Sequence, residues 1–532
     1  MKGKVTMRDR KDLILVSVLV GTLMSAIDTT IVILALPTIT VDLHASLVST
    51  IWVILIYLLL LAAFTTQLGR LGDIFGRGRM FNSGFLVFIV GSAASGASPT
   101  IDILIISRGI QAFGAALMQA NSSAIVADNF PPSERGRAFG ITTMGWNIGG
   151  TLGIVLGGII TTFIGWRYIF YINVPIGLIG FVLAVRYVKD NNRAPSKIDI
   201  PGMALLLSIL SLISYGATDI AGHGVNSFNT VLVVAGLALI APFIYVERIV
   251  KFPVIEIKAF REPRLTFSLF AALLQALGYL SVIFILIMYL QGIRGFTPLT
   301  ASLLLVPGYV VASLLAPRMG RLSDHIGAGL VAGIGIFLMA AGVLIYFTLK
   351  VNSSLYLVVL ASIVSGIGGA LFWPSNNSAV MSSAPRRLYG SVSGLLRTLS
   401  SIGTLMSYVI TISVASLAIP RYVAFEVFLG TNRQLTGGVS SKFLGGLHAA
   451  LLISLVLLIF AGILSILKSG KKKGEAFDPE KGEFKIIHSR IAPAQHGGIR
   501  KSSGHQTTVQ SCQVLHAACT DQFQGSSGHF PA

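Results

Sequence analysis

Apolar stretches recur along the whole chain, each about as long as a bilayer is thick and separated by short polar turns. A helix needs about 20 mainly apolar residues to cross roughly 30 Å of hydrocarbon. On that measure the pattern predicts helices over 12–37, 48–68, 80–98, 102–127, 137–162 and 165–188. Two more follow over 199–217 and 229–248, and six over 265–290, 299–319, 328–348, 354–380, 390–417 and 445–467. The expected fold class is therefore an all-α polytopic membrane protein with fourteen spans. The first apolar run is too long for the apolar region of a cleaved leader and is followed by more of the same, so it is read as a retained span.

Composition agrees. Of 532 residues 53% are hydrophobic and only 11% charged, against about 25% charged in soluble domains. The net charge of +19 would point to nucleic acid in a soluble protein. Here it is read as the basic bias of cytoplasmic loops. Arg70, Arg77 and Arg79, then Arg135 and Arg137, then Arg186 and Lys189 fall in alternate loops. The intervening loops hold only Arg167, Arg294, Lys350, Arg421, Arg433 and Lys442. That asymmetry places both termini inside and makes the span count even. No nucleic acid partner is expected. Cys512 and Cys519 are the only cysteines and lie in a polar tail, so no disulfide framework supports the apolar body.

The loop Gly69–Gly76 reads GRLGDIFG, and Gly320–Gly327 reads GRLSDHIG. A second echo has nearly the same separation: Gly114, Ala115, Asn121, Ser123 and Ala124 match Gly369, Ala370, Asn376, Ser378 and Ala379. Two agreeing echoes imply two six-helix halves in parallel orientation, an architecture on which secondary transporters are built. The expected organisation is an N-terminus over 1–11, a first half over 12–190 and a linker with two extra helices over 191–260. A second half covers 261–468, and a solvated, disordered tail covers 469–532, where composition is low in apolar residues.

Several residues carry candidate chemistry. Asp28 stands in mid-span, where a carboxylate costs roughly 2.5–3.5 kcal/mol on insertion scales. It either takes and releases a proton or merely hydrogen-bonds to helix backbone. Arg108 in the fourth span cannot neutralise itself. It faces a cavity, carbonyls or a carboxylate, Asp28 being the partner matched in kind, or it snorkels to an interface. Gln111 adds an amide one turn on. Gly69, Arg70, Asp73, Gly76, Arg77 and Arg79 form a charged inner turn, read as a conformational latch or as topology-setting basic residues. Gly145, Gly149, Gly153, Gly157 and Gly158 line the fifth span and serve either plain packing or a sliding seam between the halves. Trp146, Asn147, Trp373 and Asn376, with Gln111, are candidate cavity residues, aromatic faces being suited to organic cations. His44 and His448 read as loop residues. No P-loop and no HExxH motif occurs, so no cofactor or metal is expected, no enzyme chemistry is visible, and an ion gradient is the expected energy source.

The stretches IDTTIVILALPTI (27–39), GRLGDIFGRGR (69–79), RGIQAFGAA (108–116) and WRYIFYINVPIG (166–177) resemble the signatures of the fourteen-span drug:proton antiporters of the major facilitator superfamily. The resemblance runs from about residue 10 to 470. It implies that Asp28 is the first-span acid, that Gly69–Arg79 is the inter-helix loop motif, and that Arg108 is the arginine of proton coupling. Two positions depart from it: Ile154 stands where a proline is usual and Ile33 where an asparagine is usual. No later acid occurs over 354–380. The implied function is proton-coupled export of small, amphiphilic or cationic molecules from the cell membrane, with lipid, substrate and protons as partners and one chain sufficient. A proton symporter or uniporter, and a membrane sensor without transport, remain as alternatives.

Overall fold

The computed structural model describes residues 7–190, 198–250, 253–255, 262–384, 388–418, 438–467, 475–478 and 483–486. The basic residues at 193, 197, 251, 258, 261, 386, 387, 421, 433, 468 and 471–473, both cysteines and most of the tail lie outside them. The chain divides into two units, Met1–Lys471 and Lys472–Ala532.

The first unit is helical. Its helices are α1 Met7–Asp42, α2 Leu47–Phe75, α3 Arg77–Gly96, α4 Ile101–Asn129, α5 Pro132–Phe163, α6 Tyr168–Tyr171 and α7 Asn173–Tyr187. Next come α8 Ile200–His223, α9 Ser227–Ala238, α10 Ile240–Ile249 and α11 Pro263–Met288, which runs into a π turn at Tyr289–Ile293. The last are α12 Pro298–Leu303, α13 Val306–Ile326, α14 Ala328–Phe347, α15 Leu355–Ser383, α16 Tyr389–Ala418 and Gly438–Leu467, here α17. Helix is the natural choice in lipid because it satisfies every backbone polar group within one segment.

Ten helical stretches among the described residues are long and apolar enough to cross a membrane. They correspond to ten of the fourteen predicted spans. Helices α3, α11, α13 and α16 are not among them; Arg79 and Asn82 dilute α3, and Arg318 and Arg321 dilute α13. Three predicted spans are broken, each four residues before a proline. Helix α6 ends at Tyr171 before Pro175, α9 at Ala238 before Pro242, and α12 at Leu303 before Pro307. A proline has no N–H to give to the carbonyl four residues back, and its ring clashes with that carbonyl. Helix α5 runs unbroken through Ile154.

The packing falls into two groups with a clip between them. Helix α1 lies along α5 and α7, α3 along α4 and α7, and α2 along α4. Likewise α11 lies along α16 and α17, and α14 along α15 and α17. The groups meet where α5 packs on α13 and α2 on α16, and α8 covers α2 and α16. The linker is tied down: the Asp199 amide donates to Gln67 Oε1 at 3.3 Å, and the Arg70 guanidinium donates to the Pro253 carbonyl. In the second unit the described residues are two strands, β1 Glu475–Asp478 and β2 Glu483–Ile486, paired antiparallel. These paired strands lie within the stretch expected to be disordered.

The glycine file of α5 faces α1, not the second group of helices. A Cβ on Gly145 would meet Leu19, on Gly149 the Leu23 carbonyl at 2.5 Å, on Gly153 Thr30 Oγ1 at 2.1 Å, and on Gly157 the Ile31 carbonyl at 3.0 Å. These glycines serve packing inside one group, because four of their contacts bring two backbones together. The meeting with α13 falls instead to Gly136 and Gly140, whose added Cβ would lie 2.3 Å from the Gly320 carbonyl and 2.5 Å from the Ala316 carbonyl. Gly158 faces the Leu299 side chain. The second sequence echo is offset by one residue in space. Gly114 packs on the Gly84 carbonyl, while it is Gly368 that packs on the Gly335 carbonyl; Gly369 has open space.

Gly153→Val is expected to push α1 off α5 and cost about 1–3 kcal/mol, the usual range for overpacking. Thermal unfolding in detergent should show a lower Tm for Gly153→Val and little change for Gly158→Ala, whose neighbour is a flexible side chain.

Candidate functional site

Asp28 and Arg108 meet. Both are sealed from solvent, at 0% and 1% exposure, with Arg108 Nη1 2.6 Å from Asp28 Oδ2. The other carboxylate oxygen accepts from Gln111 Nε2 at 2.8 Å and Asn173 Nδ2 at 3.3 Å. Arg108 also donates to Gln111 Oε1 at 2.7 Å and to the Val53 carbonyl at 3.2 Å. Its guanidinium lies 4.4 Å from the Tyr57 ring centre. Ser92 Oγ accepts from Gln111 and Asn173 and donates to the Phe170 carbonyl. Helices α1, α3, α4 and α7 therefore converge on one carboxylate. Close approach is required: a Cβ on Gly91 would lie 2.4 Å from the Gln111 amide. The hydrogen-bond ladder is interrupted at Ile172, three residues before Pro175, and Asn173 is the first residue of α7. A buried pair of this kind exchanges strong Coulombic attraction for desolvation, so one proton added to Asp28 changes the balance of the whole cluster.

The α2–α3 turn holds a second charged cluster. Gly76 takes φ +113° there, a backbone state that only glycine adopts freely. Asp73 accepts from Arg77 Nε at 2.9 Å and Nη2 at 2.7 Å. It also accepts from the Gly390 amide at 3.1 Å, the Ser391 amide at 3.0 Å and Ser391 Oγ at 2.9 Å. The first turn of α16 is thus held by an anion, as the dipole of a helix N-terminus favours. Arg77 reaches on to Asp128, and Gly69 lets α2 touch the Gly390 carbonyl. Arg79 is exposed and pairs with Asp190 at 3.3 Å. The second copy of the motif makes matching contacts. Asp324 accepts from the amides of Gly136 at 3.0 Å and Arg137 at 3.2 Å in the first turns of α5, and Gly327 has φ +106°. Burial pushes the Asp324 carboxyl above its ordinary range, against the two amide donors that favour its charge. At the far end of α1, Asp42 accepts from Trp166 and Arg167 at 2.8 Å each, and these bonds, the Trp166 one foremost, hold its carboxyl below the usual range.

A cavity with about 180 Å³ of water-sized space opens between the two groups of helices. Trp146, Asn147 and Trp373 line it, as do Gln275, Tyr279, Tyr309, Asn377 and Arg397. Two residues expected on its wall are elsewhere: Gln111 belongs to the carboxylate cluster, and Asn376 is buried beside the wall position taken by Asn377. His44 ends in a turn after α1, while His448 Nε2 donates to the Leu349 carbonyl at 2.9 Å.

Sequence reading passed over four residues. Asn173 and Ser92 look like ordinary polar positions, although Asn173 stands inside the quoted stretch 166–177. Arg135, counted only as a basic loop residue, is buried and donates to the Ala127 and Phe130 carbonyls and to the Tyr389 hydroxyl. Arg397 lies within a predicted span, where its charge alone was a usable signal.

Known proteins resemble this chain over most of its length. Residues 18–408 match a family model described as Major Facilitator Superfamily. The riboflavin transporter RibZ of Clostridioides difficile is 30% identical over 74% of this chain and 86% of its own length. The tetracenomycin C resistance and export protein of Streptomyces glaucescens is 30% identical over 73% of both chains. The structure of the proton:xylose symporter XylE superposes with a TM-score of 0.57 at 14% identity, covering 80% of this chain and 94% of that one.

Two outcomes follow from the charge clusters. A carboxyl can neutralise itself by protonation and a guanidinium cannot, so Asp28→Ala should lower the Tm more than Arg108→Ala in parallel melts. Asp73→Asn should speed hydrogen exchange of the Gly390 and Ser391 amides about tenfold or more, given the ~1.5–3 kcal/mol of a charged hydrogen bond. Mass-spectrometric exchange should find α10 unchanged in the same variant.

Proposed function

This chain belongs to the Major Facilitator Superfamily, a family of transporters and not of enzymes, and on that premise we propose that it is a proton-coupled exporter of small amphiphilic molecules. The observation that carries the reading is the sealed Asp28 carboxylate, held by Arg108, Gln111 and Asn173. The export proteins among its relatives support the direction of transport.

In the proposed cycle Asp28 takes a proton from outside, its bond to Arg108 weakens, and α1, packed on α7, is freed to shift relative to α4, packed on α3. The turn clusters of Asp73 and Asp324 close the cytoplasmic end while the central cavity faces outward, and they part when it faces inward. Release of the proton inside restores the ion pair. One charge moving down 100 mV supplies about 2.3 kcal/mol, and one pH unit about 1.4 kcal/mol. Fourteen spans, two parallel halves over 12–190 and 261–468, both termini in the cytoplasm and a functional monomer in the cell membrane complete the reading. The matching contacts of Asp73 and Asp324 support the two halves, and the alternation of basic loops supports the orientation.

Proteoliposomes loaded by an imposed pH gradient test it. With riboflavin and a panel of fluorescent amphiphiles as probes, wild type should accumulate at least one of them up to about tenfold per pH unit for one proton exchanged. Asp28→Asn should bring that ratio to about one while still exchanging labelled for unlabelled probe. Accumulation by Asp28→Asn equal to wild type, or wild-type transport indifferent to the gradient, would leave a uniporter instead.

A further inference from the structure

Arg70, Arg77, Arg108 and Arg135 are buried in the helical body, and each is held by acceptors of this chain. Arg397 differs. It stands eight residues into α16, and among the described residues no carboxylate, carbonyl or hydroxyl bonds its guanidinium. Its Nε is buried without a hydrogen-bond partner. The side chain lines the central cavity and also a smaller one beside Gly21, Phe81 and Met118; Thr22 and Trp146 are shared by both. It therefore stands where the two spaces meet. No Asp or Glu is found among the described residues that line either space, which makes Arg397 the only formal charge on their walls.

A guanidinium keeps its charge in any protein, and a charge in the membrane body is costly unless something completes it. Its forked donors match the two oxygens of a carboxylate or phosphate. Trp146 and Trp373 offer flat apolar faces beside it, and Gln275 Oε1 and Asn377 Oδ1 are buried without partners, ready for donors on a ligand.

We propose that Arg397 anchors an acidic group of the transported molecule, so that the cavity selects aromatic organic anions, carboxylates above all, over organic cations. The proposal reverses the cationic preference expected from the aromatic residues alone, since a fixed positive charge repels the ligand that the tryptophan faces would attract. It rests on the central cavity being the transport site and is independent of how transport is driven.

Full-length protein in lipid nanodiscs would be titrated by equilibrium dialysis with 2-naphthoate, 2-naphthamide and 2-naphthylmethylammonium, matched in ring and differing in charge. Wild type should bind the acid about tenfold or more tighter than the amide, the scale of a charged hydrogen bond, and the ammonium least. Arg397→Gln should erase the preference, and Arg397→Lys should keep part of it. Because no internal bond is lost, the Tm of Arg397→Gln should equal or exceed that of wild type. Equal binding of acid and amide, tighter binding of the ammonium, no binding of any of the three, or an acid preference that survives Arg397→Gln would each overturn the assignment. A clear fall in Tm for Arg397→Gln would do so too, by marking Arg397 as a structural tie. Asp28→Asn should retain the acid preference, so loss of proton coupling and loss of anion recognition give different results.

Discussion

Arg108 cannot shed its proton, and its place inside α4 therefore demands strong acceptors within reach, met here by a carboxylate, an amide oxygen and a carbonyl. Much of the first group of helices is arranged around meeting that demand. Asp28 comes from α1, Gln111 from the next turn of α4, Ser92 from α3, and Asn173 from the first residue of α7. Side chains this short meet only if the backbones nearly touch, which is why Gly91 faces the Gln111 backbone.

The interfaces of the bundle differ in how readily they could be parted. Between α1 and α5 four glycines bring backbone onto backbone with apolar side chains on either side, and separation would open a void in the core. Between α2 and α16, and between α13 and α5, glycines also bring backbones together, Gly69 on Gly390 and Gly136 on Gly320, but the turn end adds backbone amides bonded to Asp73 and Asp324. Water can replace those bonds one for one, whereas nothing replaces lost packing. In the alternating access proposed above, the second kind of interface is the one suited to opening.

The cavity adds a contrast of charge. Asp28 is neutralised inside its own group and does not reach the cavity wall, while Arg397 on that wall is left for a ligand to complete. On the proposed reading, coupling falls to Asp28 and Arg108 and recognition to Arg397, residues on different helices.

Span-length apolar runs, the alternation of basic loops, the repeated GRL-x-D turn and the two charged residues in mid-span were all legible in the chain. Each is a local property: hydrocarbon thickness sets the run length, and the cost of burying a charge makes a lone Asp28 or Arg108 conspicuous. Proline alone could not have located the three helix breaks: each falls four residues before one, but α1, α13 and α15 run unbroken through Pro37, Pro317 and Pro374. What no local rule supplied was facing. Whether Gly145–Gly157 met α1 or the other group, whether Gln111 turned to the cavity or to Asp28, and whether Arg135 and Arg397 found acceptors depended on which helices became neighbours. An apolar helix can rotate about its axis with little change in its own energy, so the face it presents is decided only when close packing with its neighbours selects one rotation.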